Sequence, residues 1–179
     1  MPAAPAADDS LTVKRKGFAY VTHGAPGRER LLIFSHPEAP EAGLQVPAGT
    51  LEEGEPPDLG ALREAHEETG LAELELVGFL GERRRDMREY GRAELHHRYF
   101  FHVRCTAETP PERWQNYEVY PSDQLAAGEV TERPLFELFW VPLPDGVPEL
   151  VAGHDALLPM LMERLGLRGR GDGAERGRG

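Results

Sequence analysis

Gly49 to Leu71 reads GTLEEGEPPDLGALREAHEETGL, an acidic loop between glycines that runs into a helical pattern and stops at a glycine. Pro56 and Pro57 supply fixed backbone angles for a helix start, Asp58 complements the positive end of the helix dipole, and Gly70 is placed to adopt the left-handed stop. The spacing predicts a helix from Pro57 to Thr69. At about 100° per residue, Leu59, Leu62, Ala65 and Thr69 share one side, the expected packing face, and Glu64, Glu67 and Glu68 gather on the other. Three carboxylates at i, i+3 and i+4 repel one another, and Arg63 alone does not balance them. One reading is a solvated acidic face, the ordinary setting of glutamates. The other is a hard divalent cation, because Mg²⁺ takes oxygen ligands from a few carboxylates and fills its remaining positions with water and phosphate oxygens.

The rest of the chain bounds these readings. With 179 residues it has the size of one domain with a single substantial core. Lys+Arg number 20 against 31 Asp+Glu, a formal net charge of -11, so the overall field repels phosphodiester backbones and no stable nucleic-acid partner is expected. The single cysteine, Cys105, excludes an internal disulfide framework and a multi-cysteine zinc site. The N-terminal MPAAPAADDS lacks a basic start and an apolar run, and no stretch has the length of a membrane span, so a cytoplasmic protein with no membrane partner is expected. A homodimer is left open.

Residues 1–11, rich in Ala and Pro and then acidic, read as a disordered tail, and 167–179, alternating Gly and Arg, as another, leaving 12–166 as the folded domain. Val13 to Thr22 and Arg30 to Ser35 read as strands of a hairpin, joined through the Gly/Pro turn at Gly24 to Gly27. Glu73 to Glu82, Leu95 to Cys105 and Leu135 to Leu143 read as further strands, with a basic loop over Arg83 to Arg92. Thr106 to Ala127 reads as loop, with one short helix near Pro121 to Ala126. Gly153 to Leu165 reads as an amphipathic closing helix, apolar at Leu157, Leu158, Leu161 and Leu165. Strands mixed with two helices and no regular βαβ alternation imply an α/β fold with a mixed β-sheet.

The central stretch resembles the Nudix box. Gly49, five residues, Glu55, seven residues, Arg63-Glu64-Ala65, one residue, Glu67-Glu68, one residue and Gly70-Leu71 match that pattern at every fixed position. Seven specified residues, each about 7% abundant, coincide by chance about 10⁻⁸ times per start position. Only Ala65 is smaller than the aliphatic residue the pattern prefers. The resemblance implies a Nudix-type α/β/α sandwich with a mixed β-sheet, and Mg²⁺-dependent (or Mn²⁺-dependent) hydrolysis of a diphosphate linkage in a small nucleoside diphosphate derivative: a nucleotide sugar, an ADP-ribose-like compound, a dinucleoside polyphosphate or a (d)NTP. The alternative is a non-catalytic nucleotide-binding or regulatory protein that keeps the fold.

By position in the pattern, Glu64, Glu67 and Glu68 are implied to bind metal together with the Gly49 carbonyl, with Glu64 and Glu67 also counted as catalytic. Glu55 and Arg63 are implied to form an ion pair that fixes the loop on the helix, and Gly70 serves backbone geometry. The base is a box glutamate or one from a later loop: Glu118, Glu129, Glu132 or Glu137. Of these Glu132, in a loop before a strand, is the favoured candidate, and Glu137 is an alternative metal-side ligand.

Candidates for substrate contact are weaker. Arg83, Arg84, Arg85 and Arg88 read equally as a phosphate clamp and as a solvated hairpin tip, and Arg84 stands for this cluster. Trp114 offers a stacking surface for a base, although local packing is the commoner role. Tyr90 lies near the tyrosine of dinucleoside polyphosphate hydrolases. Asp86 and Met87 stand where ADP-ribose hydrolases carry a proline, whereas Val46-Pro47-Ala48-Gly49 looks like the approach to the box in sugar-nucleotide and ADP-ribose members. These cues leave the substrate open. His66 reads as a packed or hydrogen-bonded residue, and one of His96 and His97 as a candidate for lining a cleft.

Overall fold

The computed structural model describes residues 10–118 and 133–168. Among the described residues seven strands, β1 (Thr12–His23), β2 (Arg30–Ser35), β3 (Ala48–Thr50), β4 (Leu74–Asp86), β5 (Glu94–Cys105), β6 (Arg113–Tyr117) and β7 (Leu135–Pro142), accompany two helices, α1 (Pro57–Thr69) and α2 (Leu158–Leu165). The strands form one sheet in the order β4-β5-β1-β2-β7-β6, with β3 added to β1.

The sheet is mixed because β1 runs parallel to β5 from Thr12↔Glu94 to Thr22↔Arg104 and antiparallel to its other neighbours. On its second edge β1 serves two partners: Thr22 and His23 pair with β2, and Lys16 to Phe18 pair with β3. The β1/β2 hairpin is therefore short and splays open toward β3. β1 is buried on both faces. Phe18 and Tyr20 enter one core with Phe100, Leu157, Leu158 and Leu161, under α2, while Ala19 and Val21 enter a second core with Ala65, Val103 and Leu138, under α1. The strand alternation thus produces the α/β/α sandwich.

Helix α1 spans Pro57–Thr69, and Gly70 caps it at φ 72°, its N–H donating to the His66 carbonyl. Of its expected packing face, Ala65 and Thr69 are buried and Leu62 packs against the core, but Leu59 is 55% exposed, and the buried side extends over Gly60, Ala61, Glu64 and Glu68. Small residues make this face because α1 lies almost against the backbone of β1: a Cβ on Gly17 would stand 2.9 Å from the Ala61 nitrogen and 3.1 Å from its Cα. A leucine has no room there, and the glutamates are carried inward with the alanines. Gly17→Ala is expected to cost about 1–3 kcal/mol by overpacking, read as a lowered urea midpoint; an unchanged midpoint would mean that the helix lifts freely from the strand.

Other boundaries also move. β4 continues through the arginines to Asp86, pairing Arg83, Arg84 and Arg85 with Arg98, His97 and His96. Charged side chains are well tolerated on such an edge strand, and the turn is confined to the segment around a 3-10 turn at Arg88–Tyr90. β6 replaces part of the expected loop. Its RWQNY is too polar to stand out as a strand and is ordered by its backbone pairing with β7. The closing helix starts at Leu158, since Ala152 and Gly153 adopt positive φ of 50° and 73° and interrupt any earlier helix. The Tyr20 hydroxyl ties this approach to the core, donating to the His154 carbonyl at 2.7 Å and accepting from the Leu157 N–H at 3.1 Å. The helix expected near Pro121 to Ala126 lies outside the described residues, as do 1–9 and 169–179. Among the described residues no helix is long and apolar enough to cross a membrane.

Candidate active site

The site is organised by Arg63, on the half-buried side of α1. Its Nε and Nη2 donate to the two carboxylate oxygens of Glu55 at 2.8 and 2.9 Å, a bidentate pair that pins the loop before α1 to the helix. Its Nη1 donates to Glu64 Oε1 at 3.0 Å and Glu67 Oε2 at 3.1 Å, and its Nη2 reaches the Thr50 carbonyl at 3.4 Å. The guanidinium beside Glu55 holds that carboxyl below its usual range and is itself held more firmly charged. One cation therefore serves three carboxylates and leaves the acidic cluster under-compensated.

Glu64 and Glu68 are 4% and 5% exposed. Burial, with the Glu67 charge adding to it, pushes the Glu64 carboxyl up to about 7, against the pull of Arg63. Burial pushes Glu68 well above the ordinary value, reinforced by the charges of Glu64 and Glu118. Glu68 Oε2 accepts from the Ala48 N–H at 3.2 Å. Gly49, next to Ala48 on β3, leaves the space that the Glu64 carboxylate occupies, since a Cβ at residue 49 would overlap that carboxylate. Glu67 stays at the rim, its carboxylate 30% exposed in the pair with Arg63.

Among the described residues no three His, Cys, Asp or Glu side chains already converge as a cation cage. The donor set nevertheless fits a hard divalent ion. Two buried carboxylates, a third from Glu67 and the backbone at Gly49 are oxygen ligands only, and the raised proton affinity of Glu64 and Glu68 is what an added positive charge relieves.

The carboxyl end of α1 is held by β6, through residues that periodicity alone did not single out. The Trp114 indole donates to the Thr69 carbonyl at 2.8 Å, and the Asn116 amide donates to the carbonyls of Glu67 and Glu68 at 3.0 and 2.9 Å. These are carbonyls that a helix end leaves without intrahelical partners. Trp114 thus lies on a strand, half-buried against the core beneath α1, rather than in a loop. Asn116→Ala is expected to cost about 1–2 kcal/mol and to loosen the Glu67–Glu68 segment, seen as faster amide exchange in the last turn of α1. Glu118 follows at the same two-residue interval, and its charge acts on both Glu64 and Glu68.

The other sequence candidates are dispersed. Glu132 and Glu129 lie outside the described residues. Glu137, on β7, is engaged by Arg113 at 3.4 Å. Arg84 is exposed on β4 in a shallow depression with Arg85, Asp86, Arg88 and Glu89, where Arg85 bonds Glu89 at 2.6 Å and the Tyr90 hydroxyl at 3.1 Å. Tyr90 and His96 line a cleft of about 310 Å³ that opens beside Gly49. His66 bonds the Leu71 carbonyl through Nδ1 at 2.8 Å, a contact within the helix stop. Lys16, Arg98 and His154, also in the cleft, were not among the sequence candidates. A signal for Arg98 exists, since it shares a strand face with Phe100, where a cation is out of place.

The sequence model of the NUDIX domain matches residues 14–159. The chain belongs to the Nudix family. Its box, intact at every fixed position, is that of a Nudix pyrophosphohydrolase. No curated protein sequence matches the chain. Among solved structures, a Caenorhabditis elegans Ap4A hydrolase binary complex superposes with a TM-score of 0.57 at 14% identity, covering 86% of this chain and 98% of that one. The NUDIX domain of Shewanella oneidensis NrtR, complexed with ADP ribose, gives 0.56 at 15% identity over 91% and 94%. A MutT NUDIX hydrolase from Burkholderia pseudomallei gives 0.55 at 19% identity over 84% and 98%. At these identities the likeness is one of fold, and it is the Nudix α/β/α sandwich.

Proposed function

We propose that this Nudix protein hydrolyses a diphosphate linkage in a nucleoside diphosphate derivative, with Mg²⁺ or Mn²⁺ held by Glu64, Glu67, Glu68 and the Gly49 carbonyl. The observation that carries the reading is the pair of buried, mutually repelling carboxylates, Glu64 packed against Gly49 and Glu68 bonded to the Ala48 N–H. A protein that only bound nucleotides would have no use for this destabilising arrangement. When bound, the cation neutralises the anionic bridge, acidifies water and stabilises the departing phosphate.

The chain's own residues do the rest. Arg63 holds Glu64 and Glu67 at fixed spacing and keeps the loop that bears Gly49 in place. Trp114 and Asn116 fix the turn that carries Glu67 and Glu68. A carboxylate takes the proton of the attacking water. Glu118 is favoured for this by its electrostatic link to Glu64 and Glu68, and Glu132 is the second candidate. Glu118→Gln and Glu132→Gln are expected to differ: the base variant loses about 10²–10⁴-fold in kcat with metal affinity kept, and the other stays near the wild-type rate.

Nucleotide sugars, ADP-ribose-like compounds, dinucleoside polyphosphates and (d)NTPs are the candidate substrates. The ligands named for the fold neighbours, Ap4A and ADP ribose, support a nucleotide of this kind. The deciding experiment is a panel of these compounds with purified protein and Mg²⁺. Release of phosphate or mononucleotide from at least one is expected; none from any would sink the hydrolase reading and favour a binding role.

A further inference from the structure

The cleft beside Gly49 carries positive charge that the scissile chemistry does not use. Lys16, Arg92 and Arg98 line it with His96, His154 and Tyr90, and among the described residues no carboxylate does, in a chain of net charge -11. Lys16 and Arg98 are direct partners in the β1/β5 register.

Arg98 is 3% exposed. Its guanidinium lies over the Phe18 ring at 5.0 Å, with Nη1 donating to the Ala152 carbonyl and Nη2 to the Met87 sulfur at 3.5 Å. Among the described residues its buried Nε has no hydrogen-bond partner, nor does that of Arg85. Among the described residues no carboxylate forms a salt bridge with Arg98. Burial and the neighbouring Arg85 charge hold its pKa down to about 10, which still leaves it charged at neutral pH. The two histidines add no charge there, because burial depresses His96 and takes His154 down to about 3. A buried guanidinium with an orphan N–H and no counter-ion is costly unless a ligand supplies the anion. Lys16 donates to Thr50 Oγ1 at 2.6 Å. Thr50 follows Gly49, so the cleft is continuous with the carboxylate site.

We propose that this cleft is a subsite for a phosphoryl group of the substrate other than the diphosphate that is cleaved. The proposal rests on the hydrolase reading and narrows it to substrates that carry a further phosphate. A dianionic phosphoryl group can accept from Arg98 and Arg92 at once, which a neutral sugar cannot. The volume of about 310 Å³ leaves room for the group to which that phosphate is attached.

The full chain, freed of metal, is titrated with inorganic phosphate and followed by the Nε–Hε resonance of Arg98. A saturable shift is expected, with acetate giving none. Arg92→Ala, at the exposed rim, should weaken phosphate about tenfold, a loss of about 1.4 kcal/mol. With Mg²⁺, a nucleotide that the panel shows to be hydrolysed is then compared with its counterpart lacking the additional phosphate. The kcat/KM ratio should be about tenfold or more in wild type and fall toward one in Arg92→Ala. Absent phosphate binding, equal binding by Arg92→Ala, or equal kcat/KM for the pair in a chain that hydrolyses both would overturn the subsite and leave the hydrolase reading intact. Phosphate binding in a chain that hydrolyses nothing would instead overturn the hydrolase reading, and the substrate subsite with it.

Discussion

Glu68→Gln is expected to lower kcat by about 10²–10³-fold and, in the metal-free protein at pH 8, to raise the unfolding midpoint. Both effects come from one carboxylate. Glu68 is buried beside Glu64, and its negative form is opposed by desolvation and by the Glu64 and Glu118 charges. An amide of the same shape can still accept from the Ala48 N–H, which is what Glu68 Oε2 does at 3.2 Å. Removing the charge therefore relieves the fold while taking away a metal ligand. Glu67→Gln should lose turnover with little change in stability, because Glu67 is partly exposed and paired with Arg63 at 3.1 Å. Steady-state rates with Mg²⁺ and thermal melts in chelator check both. Near-normal turnover in either variant would make the metal assignment wrong, and a lower midpoint for Glu68→Gln would show that its charge is stabilised in some other way.

The second large effect is a reversal of pH dependence by metal. The Glu64 carboxyl, about 7 in the folded protein, lies above the ordinary 4.5. Between these values the folded chain binds more protons than the unfolded one, so stability contributed by this group is fully present below about 4.5 and is lost as pH rises through about 7. The loss approaches about 3 kcal/mol for Glu64, and Glu68 shifts in the same direction. Metal-free protein should thus melt lower at pH 8 than at pH 5. Mg²⁺ binds the deprotonated carboxylates, so its stabilising effect should be larger at pH 8 and small at pH 5. Melts at the two pH values with and without Mg²⁺ are the measurement. A metal-free midpoint that rises from pH 5 to pH 8, or an Mg²⁺ effect independent of pH, would contradict the buried-carboxylate account.

Much of this site is legible in the chain because its information is local. The helix from Pro57 to Thr69, its proline start and its glycine stop depend on residues within a few positions of each other. The box spacing does too, since it places Glu64, Glu67 and Glu68 within two turns of one helix. What was misjudged depends on distant partners. The spacing places Leu59 on the packing face of α1, but Gly17 of β1 brings the strand so near that the crossing falls on Ala61, which turns Leu59 outward and Glu64 and Glu68 inward. Arg113 to Tyr117 has no apolar period and reads as loop, and its order as β6 comes from pairing with β7.

By itself, then, the sequence determined the family, the mixed α/β class and which carboxylates stand together on α1, because all three follow from short-range spacing and from an improbable pattern of residues. Tertiary structure alone decided that Glu64 and Glu68 are buried, that Trp114 and Asn116 of β6 hold the end of α1, and that Lys16 and Arg98 face each other in a cleft beside Gly49. Those facts arise where segments far apart in the chain meet, and there burial and neighbouring charge set the chemistry of each group.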